Sequence, residues 1–502
     1  MIFLTKTELA FYFLINISFL IYGCYSLILV RDKILENAAV GFEKGWEFLG
    51  HPYDNAGWEF ECFKTYLIRN FIWYLIHMLA AELIKCFNSK FVPAMHFAVT
   101  ATFLLFTFKI NFQITILAQL ITFYVFRNIQ SKFLTWTLGV LWIIYINTIT
   151  PGAALHEDFN IYFETYKFVV LLAWNILRGL SFILDRQEAL KNNIGLKQWN
   201  LLDFMRYAGY MFYFPTFIFG PFIIYGRYSQ LFSDNFREKD VIERLKNLIF
   251  GLLRIGFWIL FVNVSLHFFY FYYLQYDHEA VLVLSSLGLY GFGYLMGLYF
   301  QIHYIITYGL GITFLKYDSI SPPRQPICIA RVHFYSYMWR YFDEGLYEFL
   351  LKYIYMELQT RSSSGLRKLF ASFVTFVFIF IWHGLSYVIF VWSALNFLCV
   401  VIEKVFKEFW KSDFFQNNVT SRLSVNNQKR LYGLLGCHIY IPSIMSNFYF
   451  FAGTATGHHF MITTYTSGLK HYLILTAVCY CIFQTSEWIF QIEANKKKKE
   501  LK

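Results

Sequence analysis

Asp343 and His383 are the two residues of this 502-residue chain whose types and surroundings most suggest chemistry. Asp343 ends the run MWRYFD, and His383 stands in FIWHGLSYVIFVWSALN, residues 380–396, among bulky apolar side chains. Ionisable side chains are costly inside a membrane and usually face a cavity or a partner. A carboxylate close to an imidazole can fix its tautomer and hold charge that develops during proton transfer. The pair therefore predicts a general acid–base site, but its spacing identifies no reaction.

Each of the two residues also has an ordinary structural explanation. Asp343 lies three residues after Arg340, so the two would share a helix face and could form a salt bridge. His383 could be a core imidazole bonded to a neighbouring carbonyl. The two can meet if the chain reverses direction at RSSSGLRK, residues 361–368. Gly384 would let a ligand approach the helix closely, because glycine has no Cβ.

The elements that must position this pair are membrane helices. The chain is 57% hydrophobic and 22% aromatic, and only 15% of its residues are charged, whereas a soluble domain carries about 25% charged residues. Crossing a bilayer takes roughly 20 mostly apolar residues. The clearest candidate spans are 9–30, 133–150, 163–184, 205–226, 247–275, 280–314, 367–402 and 468–491.

Weaker hydrophobic segments lie near 66–88, 93–108, 109–126, 340–356 and 430–454. With the longest runs split, the pattern predicts an all-α polytopic transmembrane bundle of about 10 to 13 hydrophobic helices, some of them re-entrant or broken. The chain contains no linker of domain-separating length. We therefore expect residues 1–502 to form a single multi-pass membrane domain.

Prolines interrupt two of the hydrophobic runs. Three prolines at the start of SPPRQPICIARVHFYSYMWRYFDEGLYEFLLKYIY, residues 321–355, prevent a regular helix there, and a helix can begin after them. FPTFIFGPFIIYGRY, residues 214–228, is broken twice, by Pro215 and Pro221. Broken helices are tolerated at membrane depth where they line a cavity or are buried by protein. The alternative is a kink that serves packing alone.

In a membrane protein, the net charge of +11 first indicates topology, because Lys and Arg concentrate in cytosolic loops. Candidate cytosolic segments are 227–246, 403–430 and the KKKK tail at 496–499. The tail resembles a dilysine retrieval signal of the early secretory pathway, although Glu500 and Leu501 break the strict spacing. The charges are scattered among loops and form no single stripe, so we expect no nucleic-acid partner.

Together, these motifs resemble the membrane-bound O-acyltransferase (MBOAT) superfamily and, within it, the Hedgehog acyltransferases, which are protein-cysteine N-palmitoyltransferases. WHG at 382–384 matches the superfamily's histidine in a long hydrophobic run. MWRYFD at 338–343 matches the Hedgehog branch, which has aspartate where most members have asparagine. Supporting matches cover nearly the whole chain: TELAFYFL (7–14), FPT…GP (214–221), GLYEFLLKYIY (345–355), WSALN (392–396) and SNFYFFAG (446–453).

The resemblance implies roles for individual residues within an acyl-CoA and catalytic region of about 205–460. Asp343 and His383 would be the catalytic pair. Trp339, Arg340 and Asn447 would bind substrate. Trp339 would gate the acyl donor, Arg340 would lie near the donor or its thioester, and Asn447 would line the reaction chamber.

Cys328 falls where the Hedgehog branch has a cysteine thiolate that holds haem b, whereas its residue type and position alone indicate only a small residue in a proline-rich turn. The resemblance also implies palmitoyl-CoA as the acyl donor. The implied acceptor is the N-terminal cysteine of a Hedgehog-type secreted ligand precursor. Such an enzyme would be surrounded by membrane lipids in the endoplasmic reticulum membrane or the Golgi.

The implied reaction makes a clear chemical demand. A protonated α-amine, with a pKa of about 8, cannot attack a thioester until it loses its proton, and a base within hydrogen-bond reach would remove that proton. We assign this step to Asp343 and His383 together.

Two alternatives to this assignment stay open at the level of sequence. One is an acyltransferase for a lysolipid or sterol, against which Asp343 in place of asparagine argues. The other is a transporter, in which buried Asp, Arg and His form a proton relay. A transporter should contain an internal repeat, and none is visible.

Overall fold

The computed structural model describes residues 4–38, 40–154, 159–192, 200–233, 238–359 and 364–500. In these ranges the chain is mainly helical, with one short sheet that pairs β1 (Phe42–Glu43) with β2 (Tyr53–Asp54) in antiparallel orientation. The helices are α1 (Lys6–Asn37), α2 (Trp58–Phe87), α3 (Val92–Thr107), α4 (Ile110–Val125), α5 (Lys132–Ala154), α6 (Phe159–Lys191), α7 (Leu201–Met211), α8 (Tyr225–Ser229), α9 (Val241–Ser265), α10 (Phe271–Tyr276), α11 (His278–Val281), α12 (Ser286–Tyr317), α13 (Tyr335–Tyr341), α14 (Glu344–Leu350), α15 (Gly365–His383), α16 (Tyr387–Lys411), α17 (Asp413–Asn418), α18 (Val425–Thr466) and α19 (Leu469–Glu500).

In the described part of the chain, eleven helices are long and apolar enough to cross a membrane: α1 to α6, α9, α12, α15, α16 and α19. This confirms the predicted all-α polytopic bundle. In the most apolar stretches of α6 and α12, 78% of the residues are buried, against 17% in α1. Lipid tails are as apolar as Leu, so an outer helix can keep apolar side chains on its surface. The centre of the bundle is therefore formed by α6 and α12.

Several predicted spans are not continuous helices. The prediction of one span at 205–226 is wrong, because α7 ends at Met211 and residues 212–224 follow an irregular path with one 3-10 turn at Phe214–Thr216. Pro215 and Pro221 lack the amide hydrogens that a helix requires there. The run 367–402 forms two helices, α15 and α16. α18 is also interrupted, at a Gly453 whose φ is 78°.

The irregular segment 212–224 is buried by protein, which is one of the two settings in which a broken helix is tolerated at membrane depth. Arg178 of α6, only 1% exposed, donates hydrogen bonds to the carbonyl oxygens of Thr216 and Phe217, the latter at 3.2 Å. It also donates to Asn175 Oδ1 at 2.8 Å. These bonds satisfy carbonyl groups that a continuous helix would have paired internally. Arg178 thus holds the segment in its non-helical path.

A network of charges marks one face of the bundle. Arg244, near the start of α9, forms ion pairs with Glu82 at 2.7 Å and Glu238 at 3.0 Å. It also donates to the carbonyl oxygen of Tyr317, the last residue of α12, at 3.1 Å. The end of α2, the start of α9 and the end of α12 therefore lie on this face, which includes residues 238–246 of the predicted cytosolic segment.

Parts of three predicted segments lie outside the described residues. These are residues 234–237 of the predicted cytosolic segment, 361–363 of the loop at 361–368, and the side chains of 497–499 in the basic tail. At the described end of the loop, the Ser364 hydroxyl accepts from the Arg367 amide at 3.3 Å and caps α15. The single domain over 1–502 stays a prediction.

Replacing Arg178 by methionine should lower the stability of the protein. Methionine keeps an apolar side chain in place but removes the donors for the two carbonyl groups, and each unpaired buried group costs about 1–3 kcal/mol. We expect the melting temperature of the detergent-solubilised protein to fall by several degrees. The exposed Arg422, substituted in the same way, is the control and should leave the melting temperature unchanged. A wild-type melting temperature in R178M would contradict the role of this side chain.

Candidate active site

One cavity, the main cavity, contains four of the residues selected from the sequence. It has about 1180 Å³ of space between its side chains, part of it open to solvent. Asp343, His383, Trp339 and Asn447 all line it.

His383 is the last residue of α15, and aromatic rings surround its imidazole. The centres of the Trp392 and Phe450 rings lie 5.3 and 5.7 Å from that of the imidazole, both nearly perpendicular to it. Within the described part of the chain, neither ring nitrogen has a hydrogen-bond partner, so the imidazole is not the carbonyl-bonded core residue considered above. Its nitrogens are available to a ligand in the cavity.

The chain turns sharply directly after His383. Gly384 has a φ of 127°, a conformation that other residues rarely adopt. The following amide, of Leu385, donates to Asn147 Oδ1 at 2.9 Å, and Ser386 caps α16. A Cβ at Gly384 would come no closer than 3.8 Å to Asn147. The backbone conformation therefore requires this glycine, and the close approach of a ligand to it stays a prediction.

Asp343 caps α14 and does not lie within a helix, because the chain breaks between α13 and α14. Its Oδ1 accepts from the Leu346 amide at 2.9 Å, and its Oδ2 accepts from the Tyr308 hydroxyl at 2.7 Å. Asp343 lies outside the eleven spans; burial raises its pKa, and the two hydrogen bonds oppose that rise. A Cβ at Gly345 would lie 2.0 Å from the Phe222 carbonyl oxygen, so only glycine lets this turn rest on the buried segment.

Arg340 does not form the expected salt bridge with Asp343. No ion pair joins these two described residues, and the Arg340 side chain is exposed. Its guanidinium lies 5.8 Å from the ring centre of Tyr347, which lines the cavity. Because the helix breaks at Asp343, the usual i, i+3 geometry of a helix does not apply. Arg340 is therefore at the edge of the cavity and not in its wall.

Hydrogen bonds fix Trp339 and Asn447 in the cavity wall. The Trp339 indole donates to Asn396 Oδ1 at 3.2 Å. Asn447 Oδ1 accepts from the Tyr335 hydroxyl at 2.6 Å and from the Trp392 indole at 3.4 Å. These bonds join α13, α16 and α18. They also connect to His383, since the Trp392 ring contacts the imidazole.

Tyr308 and Asn396 are site residues that the sequence analysis did not select. Both are polar side chains within long apolar helices, and that is the signal that could have found them. Tyr308 lies four residues after the cavity-lining Tyr304, so the two share a face of α12. Asn396 ends the motif WSALN, which was noted only as a supporting match.

Cys328 lies in the proline-rich loop before a single 3-10 turn, Ile329–Arg331, and is not part of the cavity wall. Burial raises the pKa of its thiol. A cysteine that ligates iron does so as the thiolate, a form that a bound iron itself stabilises. Haem therefore stays a prediction of the resemblance, and the mechanism below contains no step through it.

Replacing Gly384 by alanine should destabilise the turn that follows His383. Alanine at this φ is strained by about 1–3 kcal/mol, although its Cβ has room. We expect a lower melting temperature. Gly365 is the matched control, because it is the first residue of α15 and no atom lies within 4 Å of its Cβ position. G365A should melt at or slightly above the wild-type temperature; an equal loss in both variants would contradict the argument.

Comparison with known proteins agrees with the resemblance found in the motifs. Residues 99–446 match MBOAT, the membrane-bound O-acyltransferase family. The chain is 34% identical to Protein-cysteine N-palmitoyltransferase Rasp of Drosophila melanogaster, over 99% of this chain and 97% of that protein. It is 23% identical to Protein-cysteine N-palmitoyltransferase HHAT of Mus musculus, over 90% and 91%. It is 22% identical to Membrane-bound O-acyltransferase gup1 of Schizosaccharomyces pombe, over 79% and 74%. The chain therefore belongs to the membrane-bound O-acyltransferase family.

Proposed function

We propose that this protein transfers palmitate from palmitoyl-CoA to the N-terminal cysteine amine of a Hedgehog-type secreted protein. One observation carries the proposal: a carboxylate, Asp343, and an imidazole without a hydrogen bond to any described residue, His383, line one largely apolar cavity. The names of the fly and mouse relatives supply the acyl group and the cysteine acceptor. The catalytic region of about 205–460 contains the whole cavity wall except Ile482.

The cavity wall suits a long acyl chain. Apart from a few polar groups, it consists of aromatic and aliphatic side chains such as Phe300, Leu346, Ile444 and Phe448. Burial of each CH₂ group contributes about 0.8 kcal/mol, so a sixteen-carbon chain would bind strongly. Trp339 lies in this wall, where it would contact the donor. Arg340, at the cavity edge, would lie near the polar end of the donor.

The reaction requires one proton to move from the amine to the departing thiolate. The amine nitrogen attacks the thioester carbonyl carbon, a C–N bond forms, and the C–S bond breaks. Asp343 and His383 together take one proton from the ammonium group, which passes to water, or orient the amine. The second proton, which the nitrogen loses as the C–N bond forms, ends on the sulfur of CoA. Tyr308 and the Leu346 amide hold the Asp343 carboxylate in place for this step.

The two substrates would approach from opposite sides of the membrane. α15 has 19 residues, which corresponds to about 28 Å of helix, close to the thickness of the hydrocarbon core. Arg367 and Lys368 lie at its first turn and His383 at its last residue. If the basic end is cytosolic, His383 lies near the lumenal side. A secreted acceptor protein passes through the lumen of the secretory pathway. This supports a location of the enzyme in the endoplasmic reticulum membrane or the Golgi.

A smaller cleft beside the main cavity is a candidate entrance for the acceptor. It has about 370 Å³ of space, and Phe300 and Phe451 line both it and the main cavity. Glu59, an exposed carboxylate in its wall, forms no ion pair with any described residue. His303 also lines the cleft. An unpaired carboxylate attracts a cation, so Glu59 would bind the protonated amine or a basic side chain of the acceptor.

Acyl transfer by the purified protein tests the proposed function. Labelled palmitoyl-CoA and a peptide that begins with cysteine should yield a hydroxylamine-resistant amide, whereas the N-acetylated peptide should yield none. H383A and D343N should each reduce the rate by at least about 100-fold, because they remove the proton-transfer groups.

The control for these variants is H438A, which replaces an exposed imidazole bonded to Tyr472, and it should keep full activity. Full activity in H383A or D343N, with wild-type stability, would end the catalytic assignment. Label on a lipid instead of the peptide would favour a lipid acyltransferase, and label on neither would favour the transporter.

Replacing Glu59 by glutamine should weaken binding of the peptide but not of the acyl donor. We expect the KM for the peptide to rise roughly 5- to 30-fold, as for a loss of about 1–2 kcal/mol, with kcat and the KM for palmitoyl-CoA unchanged. E47Q is the control, since Glu47 is 82% exposed and pairs with Lys44 at the surface. A rise in the KM for palmitoyl-CoA would show that the cleft serves the donor.

A further inference from the structure

A second polar cluster lies away from the main cavity. His77 of α2 and His96 of α3 are 0% exposed, and Asp318, directly after α12, is 3% exposed. One potential ligand atom from each residue lies within 4.8 Å of those of the other two. None of the three lines the main cavity, and the proposed acyl transfer gives them no role.

Neighbouring groups hold one polar atom of each of the three side chains. His77 Nε2 lies 3.0 Å from Asp318 Oδ2, which also accepts from the Tyr213 hydroxyl at 2.6 Å. His96 Nδ1 lies 2.8 Å from the Tyr228 hydroxyl. Both tyrosines are fully buried. These contacts restrict the orientations of the two rings and of the carboxylate.

The other polar atom of each side chain is buried and has no hydrogen-bond partner among the described residues. These atoms are His77 Nδ1, His96 Nε2 and Asp318 Oδ1. A buried polar atom without a partner destabilises the folded protein. Three such atoms in one cluster indicate that the cluster binds a species with which they can bond.

We propose that His77, His96 and Asp318 bind one divalent transition-metal ion of the zinc type. Two imidazole nitrogens and one carboxylate oxygen form a common ligand set for such ions, whereas Ca²⁺ and Mg²⁺ prefer oxygen ligands. In metal sites, the second nitrogen of a ligating histidine usually bonds to a carboxylate or another oxygen. The Tyr228 hydroxyl provides such a partner for His96 Nδ1, which leaves Nε2 as the ligand atom, and His77 would bind through Nε2, the nitrogen that lies nearest to Asp318.

Charge balance also favours a cation at this cluster. Asp318 forms no ion pair with any Lys or Arg in the described ranges, and His77 is its sole ion-pair partner there. A bound divalent ion would compensate the buried carboxylate. Zinc holds its ligand atoms about 3.4 Å apart, so binding would draw the three groups together by little more than an ångström. Water would complete the coordination.

The ion would have a structural role. The cluster joins α2 and α3 to the end of α12, and Tyr213 connects it to the buried segment 212–224. These are the parts that support the turn at Asp343 through the contact of Gly345 with Phe222. The site is closed to the main cavity, so no step of acyl transfer requires the ion to touch a substrate.

His333 provides an internal comparison. It too is buried, its Nε2 lies 2.7 Å from Glu487 Oε2, and its Nδ1 has no partner in the described chain. Among the described residues, only His77, His96 and Asp318 form a group of three potential metal ligands. His333 and Glu487 therefore have no third ligand beside them. A histidine–carboxylate pair with an unpartnered nitrogen is thus not by itself the basis of the proposal.

Metal analysis of the full-length protein tests the proposal. The chain, purified in detergent through a tag without histidine, should contain about one zinc or similar ion per molecule by mass spectrometry. H96Q and D318N should lower this content at least about tenfold. H333Q is the matched control and should retain the ion. Wild-type protein with less than about 0.1 ion per chain, even after incubation with Zn²⁺, would overturn the proposal and indicate bound water only.

A second measurement uses only the wild-type chain, in case the variants fail to fold. After chelation and addition of Co²⁺, the protein should show the visible d–d absorption of cobalt with nitrogen and oxygen ligands, and added Zn²⁺ should remove it. Chelation should also lower the melting temperature, because an ion that binds only the folded state stabilises it. A featureless cobalt spectrum would contradict the site. None of these readouts depends on acyl transfer.

Discussion

Inside a membrane, polar groups must find their partners within the protein, and the rest of this structure depends on that constraint. The broken segment 212–224 cannot pair all its carbonyl groups as a helix would, so Arg178 bonds to those of Thr216 and Phe217. The segment thereby becomes a rigid support. Gly345 packs directly on the Phe222 carbonyl, and this contact fixes the turn at which Asp343 caps α14. The position of the proposed catalytic carboxylate thus follows from how the bundle satisfies its own backbone.

His383 is an exception to this constraint. Three polar side chains that line the cavity with it are bonded within the protein: Asp343 to Tyr308, Trp339 to Asn396, and Asn447 to Tyr335. Beside them, the imidazole has no hydrogen-bond partner among the described residues, so both nitrogens can bond with a substrate that enters the cavity. The cluster of His77, His96 and Asp318 has unpartnered atoms as well, but it is closed and lies apart from the cavity. The unbonded imidazole in the cavity suits a reaction, and the closed cluster suits a bound ion.

The arrangement of charges agrees with substrates that come from two compartments. Arg244 and its acidic partners mark one face of the bundle, where α2 and α12 end. Glu59 stands at the start of α2 and so near the opposite face, beside the smaller cleft. A cavity between these faces can receive an acyl donor from one side and a cationic acceptor from the other.

Much of this protein follows from the sequence by itself. A bilayer of given thickness requires apolar runs of a certain length, so composition and run length determined the all-α bundle and most of its spans. The motifs MWRYFD and WHG sufficed to select Asp343 and His383. Only the tertiary structure decided that Asp343 caps a helix instead of pairing with Arg340, that Tyr308 holds it, and that the segment 212–224 is a buried support. The cluster around Asp318 was likewise invisible, because its hydrogen bonds join residues more than one hundred positions apart. Local sequence patterns show which segments can lie in lipid and which backbone conformations their residues allow. Contacts between distant residues depend instead on how whole helices pack.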